Sequence, residues 1–176
     1  MNGNQVLKPL VTMTESEFFE FSNFIEGNLG IKLPPHKKSL LEGRLRRRLR
    51  SLGIDSFSEY SEMVFKNTEN KGELIQLFDE VTTNKTDFFR EAAHFDYLVD
   101  KALPELIATS GAGIRRPLRV WSAGCSTGKE AYTLAMVLSE FQKKRSDFSF
   151  RILGTDVSTR VLETARLGIY REEKAD

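Results

Sequence analysis

A glycine-bearing turn between an apolar segment and a helical pattern is the part of this sequence best suited to bind a ligand. The apolar segment begins at Leu118, and Gly124 and Gly128 follow it. Glycine allows a tight turn and a close approach of the backbone to a ligand, and the N–H groups that open the next helix face the same point. This order is typical of a nucleotide-type cofactor site in an α/β sheet. Glycine spacing alone is weak, because small-residue turns between strand and helix are common.

A second feature is Asp156, which follows an apolar segment that predicts a buried strand over residues 151–154. In nucleotide-binding α/β folds, an acid at the end of the second strand accepts hydrogen bonds from ribose hydroxyls. Asp156 lies 28 positions beyond Gly128, whereas the usual interval is about 20 residues, so the intervening helix and loop must be longer. A structural role is an equal alternative, with Asp156 in the N-cap region of a helix that begins near Ser158. The two roles can coexist.

A third feature is the polar segment from Thr82 to Glu91, which contains two adjacent phenylalanines and then Arg90. Its polar side chains can bond to the nearby backbone. The planar guanidinium of Arg90 can bind a carboxylate at two points. Considered alone, the segment is a loop that enters a helix and carries a solvated arginine.

Together the three segments resemble the chemotaxis receptor methyltransferases, the CheR-type protein-glutamate O-methyltransferases, from about Phe18 to the last residues. The matching parts are residues 82–91, residues 119–128 with Glu130 and Tyr132, residues 154–157, Val161 with Leu162, and residues 168–170. The resemblance implies methyl transfer from S-adenosylmethionine to glutamate side chains of chemotaxis receptors, giving glutamate methyl esters for sensory adaptation. S-adenosylhomocysteine would be the other product.

The resemblance also implies roles for individual residues. Arg90 would be catalytic, holding the cofactor carboxylate or lying beside the transferring methyl group. Glu130 matches the glutamate of the family's glycine loop, and Asp156 matches the acid on the ribose. The implied cofactor-binding residues are Asn84, Thr86, Arg90, Gly124, Glu130 and Asp156.

The sequence departs from the family pattern in the turn after Gly128. Lys129 stands where the family usually has glutamate, Ala131 replaces a proline, and Thr133 replaces a serine. Lys129 adds positive charge near a cofactor that already carries a sulfonium. It would either weaken cofactor binding slightly or point to solvent.

Composition restricts the class of protein. A chain of 176 residues with 40% apolar and 29% charged residues is typical of a soluble globular protein with one ordinary or two small domains. One cysteine, Cys125, excludes an intrachain disulfide and suits a reducing cytoplasm. No apolar run approaches the roughly 18 residues of a membrane span, and His36 and His94 lack companions at metal-ligand spacing. We therefore predict a cytoplasmic location, no membrane insertion and no metal site.

The order of patterns predicts an α-helical N-terminal bundle followed by an incomplete α/β Rossmann-like methyltransferase domain. Residues 1–82 are the predicted helical domain, residues 83–117 a linker and long helix interrupted near Pro104, and residues 118–176 the start of the S-adenosylmethionine-binding domain. Four helices are expected in the first part, at about residues 14–25, 36–52, 56–65 and 71–81. Thr14 and Glu17 form a possible capping box, and Gly53 can end the second helix.

Two parallel strands cannot make a stable doubly wound sheet, because strand edges and an apolar face stay uncovered. Members of the resembled family are longer. We therefore expect the N-terminal part of a methyltransferase, apparently truncated, with further cofactor contacts beyond residue 176. The alternative is a truncated non-catalytic copy that acts as a receptor- or cofactor-binding module. An exposed sheet edge also makes self-association possible.

A basic helix is predicted between His36 and Leu52, with seven basic residues against one acid. Leu41, Leu45, Leu49 and Leu52 form its apolar stripe, which leaves Lys37, Arg44, Arg47 and Arg48 to share an outer face. Such a face is usually only solvated. Nucleic-acid binding is disfavoured, because interleaved aromatics are missing and the net charge is only +1. By the resemblance, the four basic residues would dock on the acidic helical bundle of a chemoreceptor's cytoplasmic part, aided by electrostatic steering.

Overall fold

The computed structural model describes residues 11–66 and 71–171. The chain forms two compact units, Met1–Thr82 and Thr83–Asp176. In the described ranges, no helix is long and apolar enough to cross a membrane. The separation of residues 83–117 from residues 118–176 as a distinct linker stays a prediction.

The first unit begins with helix α1, Glu15–Leu29, and the predicted capping box is present. The Glu17 amide donates to Thr14 Oγ1 at 3.2 Å, and the Thr14 amide donates to Glu17 Oε2 at 2.7 Å. Two N–H groups at the helix start are satisfied in this way. Gly30 then ends the helix in the left-handed conformation, at φ 69°.

In residues 30–66 and 71–82, three further helices follow. A 3₁₀ turn, Pro35–Lys37, leads into α2, Lys38–Leu52, and α3, Phe57–Phe65, and α4, Lys71–Val81, follow. Gly53 ends α2 at φ 71°, as predicted. The apolar stripe holds for its first three leucines, which are buried, whereas Leu52 is 37% exposed at the helix end.

The core of this unit consists of apolar side chains from all four helices. Phe18, Phe21, Leu45, Tyr60 and Leu77 have no exposed surface. The Phe21 ring stacks on the Tyr60 ring with centroids 6.0 Å apart. Each such side chain contributes about 1.5–3 kcal/mol through burial, so the interlocking apolar faces hold the four helices together.

The predicted outer face of α2 is wrong for two of its four basic residues. Arg48 forms two hydrogen bonds to Glu73, from Nε at 2.8 Å and from Nη2 at 2.5 Å, and Glu73 is only 6% exposed. Arg44 Nη1 donates to the carbonyl of Val81 at 2.5 Å. Both side chains therefore lie between helices. The hydrogen bond to Glu73 raises the pKa of Arg48 further, which keeps its charge fixed.

The other two basic residues do face solvent. The side chain of Arg47 is 71% exposed, with Nη2 at 3.4 Å from Glu80 Oε2, and Lys37 is exposed in the 3₁₀ turn. The difference arises because neighbouring helix positions lie about 100° apart around the helix axis. Arg48 is therefore turned towards Glu73 of α4, while Arg47 stays on the solvent side of the helix.

In the second unit, residues 93–110 form a continuous helical stretch in three parts. These are α5, Ala93–Tyr97, a π-helical turn, Leu98–Ala102, and α6, Leu103–Ser110. The interruption expected near Pro104 takes the form of this π turn. Proline lacks an N–H, and its ring clashes with the carbonyl four residues earlier in an α-helix. A wider turn before Pro104 relieves that clash without ending the helix.

A two-stranded parallel sheet follows, formed by β1, Leu118–Ala123, and β2, Phe150–Thr155. Helix α7, Lys129–Lys144, connects the two strands, and helix α8, Thr159–Leu167, comes after β2. Leu118 pairs with Phe150, and Ala123 pairs with Thr155. The predicted helical bundle followed by an α/β part is thus confirmed. One sheet face packs on the fully buried Leu103, Leu138 and Phe148.

Candidate cofactor site

The loop between β1 and α7 is fastened to the end of β2. The two strands are parallel and paired up to Ala123 and Thr155, so the segments that follow β1 and β2 leave the sheet at the same edge. The amides of Gly124 and Cys125 both donate to the carbonyl of Thr155, each at 2.8 Å. The Ser126 amide donates to Asp156 Oδ2 at 2.7 Å. Three consecutive loop amides are therefore satisfied within the protein.

This pairing decides what kind of anion the loop can bind. Phosphate-binding loops keep successive backbone N–H groups free to surround the phosphate. Here the amides of residues 124–126 bind Thr155 and Asp156 instead. These three amides are therefore not available to surround a phosphate group.

The two glycines of the loop serve different purposes. Both have positive φ, 75° at Gly124 and 89° at Gly128. A Cβ on Gly124 would meet nothing within 4 Å, whereas a Cβ on Gly128 would lie 2.9 Å from the Cβ of Ala165 and 3.0 Å from the Tyr170 hydroxyl. Gly124 thus leaves the backbone open to a ligand, and Gly128 lets α8 and the following segment pack closely.

The predicted ligand segment before α5 lies against this loop and the start of α7. Residues 83–90 form neither helix nor strand. Ser126 Oγ donates to the carbonyl of Asn84 at 2.9 Å, and the Phe89 amide donates to Thr133 Oγ1 at 3.2 Å. Hydroxyl side chains therefore connect the irregular segment to the glycine-bearing loop and to α7.

Lys129 also contacts this segment. Its Nζ lies 3.4 Å from Asp87 Oδ1 and 5.7 Å from the centroid of the Phe88 ring, and its side chain is 14% exposed. The sequence leaves two alternatives for Lys129, and the one in which its side chain points to solvent is wrong.

A cavity of about 560 Å³ opens beside Gly124, within the range of about 300–1,000 Å³ typical of small-molecule sites. Arg90 reaches it as an exposed side chain whose Nη1 donates to the Lys85 carbonyl at 3.4 Å. Glu130 lines it too, and its Oε1 accepts a hydrogen bond from Ser122 Oγ at 2.7 Å. The cavity thus presents a cation and an anion beside open backbone.

Both parts of the chain match one family of proteins. Residues 16–82 match the family described as "CheR methyltransferase, all-alpha domain". Residues 84–176 match "CheR methyltransferase, SAM binding domain". The chain belongs to the CheR methyltransferase family. The resemblance drawn from the motifs is confirmed.

Individual relatives carry the same description. The chain is 42% identical over 176 residues to a chemotaxis protein methyltransferase of Borreliella burgdorferi, covering 99% of this chain and 62% of the relative. It is 38% identical over 164 residues to the chemotaxis protein methyltransferase of Escherichia coli, covering 93% of this chain and 54% of the relative. The chain therefore spans between half and two thirds of the length of these curated relatives.

S-adenosylmethionine is the cofactor that this family's binding domain takes, and the site in this chain suits it. The cofactor has an amino-acid end with a carboxylate and an ammonium group, for which Arg90 and Glu130 offer opposite charges at one cavity. It has no phosphate, in agreement with the occupied loop amides. The open backbone at Gly124 leaves space for its approach.

The structure brings four of the predicted site residues to the cavity, namely Thr86, Arg90, Gly124 and Glu130. Asn84 and Asp156 are connected to the loop through Ser126, which bonds to both. Asp156 Oδ1 also accepts from the Ser158 amide at 2.9 Å, and Ser158 is the N-cap of α8. The structural alternative for Asp156 is therefore present, and its ribose contact stays a prediction.

Reasoning from the sequence missed the residues that support the site. Ser122, Ser126 and Thr133 are all at least 95% buried and bond to Glu130, to Asn84 and to Phe89. Tyr170 OH donates to the Thr127 carbonyl at 2.6 Å. The only signal in the sequence was the run of small hydroxyl residues inside and just after the glycine turn.

Cys125 has no place among the reacting groups. Burial, together with the nearby charge of Asp156, raises the pKa of its thiol above the ordinary value. The thiol therefore stays protonated at neutral pH, and a protonated thiol is a poor nucleophile. Its side chain instead packs against Gly154, where an added Cβ would lie 3.1 Å from Cys125 Sγ.

Proposed function

We propose that this chain transfers a methyl group from S-adenosylmethionine to glutamate side chains of chemotaxis receptors, in the cytoplasm. The observation that carries the proposal is the cavity where Arg90 and Glu130 place opposite charges beside Gly124, in a chain of the CheR family. Relatives named as chemotaxis protein methyltransferases support the receptor as the partner. The glutamate acceptor comes from the resemblance of the motifs.

The chain's own residues have to bind, align and shield. When bound, S-adenosylmethionine supplies a methyl group on a sulfonium, which is a good leaving group. An ionised glutamate is already nucleophilic, so Arg90 need only orient a carboxylate, either that of the cofactor or that of the receptor. Glu130 would bind the cofactor's ammonium group, and Asp156 its ribose. Catalysis would then come from alignment and exclusion of water.

The first test is calorimetric titration with S-adenosylhomocysteine. Arg90→Met should weaken binding by roughly 10- to 100-fold, the loss expected for a hydrogen bond to a charged group. Arg145→Met is the matched control, because Arg145 is exposed in the same unit and pairs with Asp147 at 3.1 Å. Equal affinity of the Arg90 variant and the parent would remove Arg90 from the site. A folded parent chain that does not bind would overturn the proposed function for this chain.

Asp156→Ala is less informative as a first variant. It removes the acceptor for the amides of Ser126 and Ser158 as well as the proposed ribose contact. Weaker binding would then have two causes. Arg90 makes one long hydrogen bond, at 3.4 Å, so its removal perturbs the loop less.

Methyl transfer is tested separately, with methyl-labelled cofactor and a receptor cytoplasmic fragment. Labelled methyl groups that appear on receptor glutamates and are released by base would support methyl-ester formation by this chain. Cofactor and receptor binding without transfer would favour the alternative of a non-catalytic binding module.

For the receptor contact, we propose the exposed residues Lys37 and Arg47. Arg44 and Arg48 are further predicted contacts, but their side chains bond to Val81 and Glu73 of α4. Arg47→Glu should lower affinity for the receptor fragment, and more so at low salt, because exposed charges are screened. Lys32→Glu changes the net charge equally and is the control, since its side chain is 81% exposed in the same unit. An identical effect of both variants would contradict a specific docking surface.

A further inference from the structure

The segment that carries Thr86 and Arg90 cannot hold its own conformation. Residues 83–90 make no helix or strand. Phe89 and Glu91 have positive φ, 52° and 58°, which costs a residue with a side chain roughly 1–3 kcal/mol. Such a conformation persists only when neighbouring structure holds it.

Two hydrogen bonds to side-chain hydroxyl groups fix the two ends of the segment, but they do not hold its middle. Ser126 binds the carbonyl of Asn84, and Thr133 binds the amide of Phe89. Between these points, Asp87 and Phe88 contact Lys129 through an ion pair at 3.4 Å and a ring contact at 5.7 Å. The Phe88 ring also meets the Tyr170 ring edge-on, with centroids 5.0 Å apart.

Lys129 lies at a position where a positive charge needs stabilising contacts. It is the first residue of α7, where the helix dipole disfavours a positive charge. Its side chain is nevertheless only 14% exposed. A carboxylate and the face of an aromatic ring are the groups that stabilise a cation there, and Asp87 and Phe88 supply both.

We propose that Lys129 is a positioning residue of the cofactor site, an inference that rests on the proposed function. Its ammonium group holds Asp87 and Phe88 against the start of α7. Thr86 precedes this pair directly, and Arg90 follows it by two positions, so the same contact sets where both side chains meet the cavity. Lys129 thus acts through the segment and does not touch the cofactor.

The test compares Lys129→Met with the control Lys143→Met. Lys143 lies in the same helix, 72% exposed, and pairs with Glu140 at 2.5 Å. Hydrogen exchange of the Phe89 amide in the ligand-free protein should rise about three- to ten-fold in Lys129→Met, the range for loss of a partly exposed ion pair together with a cation–π contact. The dissociation constant of S-adenosylhomocysteine should rise by a similar factor. Neither quantity should change in Lys143→Met.

Two further variants separate positioning from general stability. Lys129→Arg keeps the charge and should restore most of the protection and affinity. Asp87→Asn alters a half-exposed carboxylate and should reproduce the Lys129→Met effect, with no further loss in the double variant. High salt should speed exchange in the parent but not in Lys129→Met, because only the parent has the ion pair to screen.

Unchanged exchange at Phe89 in a folded Lys129→Met protein, or an equal change in Lys143→Met, would overturn the inference. Faster exchange with unchanged affinity would also overturn it, because the contact of Lys129 with Asp87 and Phe88 would then be irrelevant to cofactor binding. A parent that binds no S-adenosylhomocysteine would remove the proposed cofactor function, and the exchange result would still decide whether Lys129 orders the segment.

Discussion

The two units of this chain bury their apolar surface in different ways. In the helical unit, Phe18, Phe21 and Leu45 are fully buried. In the second unit Trp121 is 68% exposed and Leu153 is 61% exposed. Helices with one apolar stripe can cover one another completely, whereas a parallel sheet has two apolar faces. Here α6 and α7 pack on one face, the side of Val120 and Ile152.

The units also differ in the polar groups that they bury. The helical unit buries a charge, Glu73, between Arg48 and the hydroxyl of Tyr60, which donates at 2.9 Å. The second unit buries small hydroxyl groups, such as Ser122 and Thr133, and leaves Arg90 and Glu130 exposed. A buried ion pair joins helices to each other, whereas the buried hydroxyls of Ser126 and Thr133 order an irregular segment and that of Ser122 supports the carboxylate of Glu130. The first unit is thus a bundle organised around an apolar core, whereas the second unit is organised around a cavity.

Gly113→Ala tests how much the second unit depends on its small core, and we expect the largest effect here. A Cβ at this position would lie 2.2 Å from the ring of Phe148, which is 1% exposed, and the backbone φ is 82°. Steric overlap and the left-handed conformation together should cost about 3–4 kcal/mol. Urea denaturation followed by circular dichroism and by Trp121 fluorescence measures the loss. A loss below about 1 kcal/mol would mean that Phe148 can move aside without disturbing the core.

Arg48→Met tests the buried charge of the helical unit. Removal of Arg48 leaves Glu73, 6% exposed, with only part of its stabilisation. We expect a loss of about 2–3 kcal/mol in the free energy of unfolding, somewhat below the value for a fully buried pair because Arg48 is 24% exposed. Arg47→Met is the matched control, and its 71% exposed side chain should change stability by less than about 0.5 kcal/mol. Equal losses would contradict the assignment of opposite roles to these adjacent arginines.

Tyr60→Phe tests the same network through its pH dependence. Burial, and then the hydrogen bond to Glu73, raise the pKa of Tyr60 well above the ordinary value of 10.0. The folded state therefore keeps the phenol proton when the unfolded state releases it, so this stabilisation is complete below about pH 10 and declines as pH rises. We expect Tyr60→Phe to be about 1–2 kcal/mol less stable at pH 7. The gap to the parent should narrow above about pH 10, as measured by denaturation at several pH values, and a constant gap would contradict the raised pKa.

Local patterns predicted the helices well. The fourth helix was expected at residues 71–81 and lies at Lys71–Val81, and the capping box of Thr14 and Glu17 is present. Helical periodicity and capping depend on residues at most four positions apart. For the same reason they could be recognised without the tertiary structure.

Contacts between distant residues were not predictable in this way. The partner of Arg48 is 25 positions away in the sequence, and Ser126 bonds to Asp156 over 30 positions. One helical pattern shows which residues can share a face, but not which neighbouring element covers that face. The outer-face assignment of Arg44 and Arg48 was therefore wrong, and the same ignorance of neighbours left Lys129 open between two alternatives. The proposed self-association through a sheet edge stays a prediction.

Gly43→Ala provides the smallest effect and the counterpart of Gly113→Ala. Gly43 lies inside α2, and a Cβ there would meet nothing within 4 Å. Glycine within a helix costs about 0.5–1 kcal/mol relative to alanine, because a glycine loses more backbone freedom on folding than an alanine does. The substitution should therefore raise stability by about that amount, in the same denaturation measurement that detects the loss at Gly113. A destabilised Gly43→Ala protein would mean that α2 needs close contact at this point, and the contrast between the open position at Gly43 and the closed position at Gly113 would then fail.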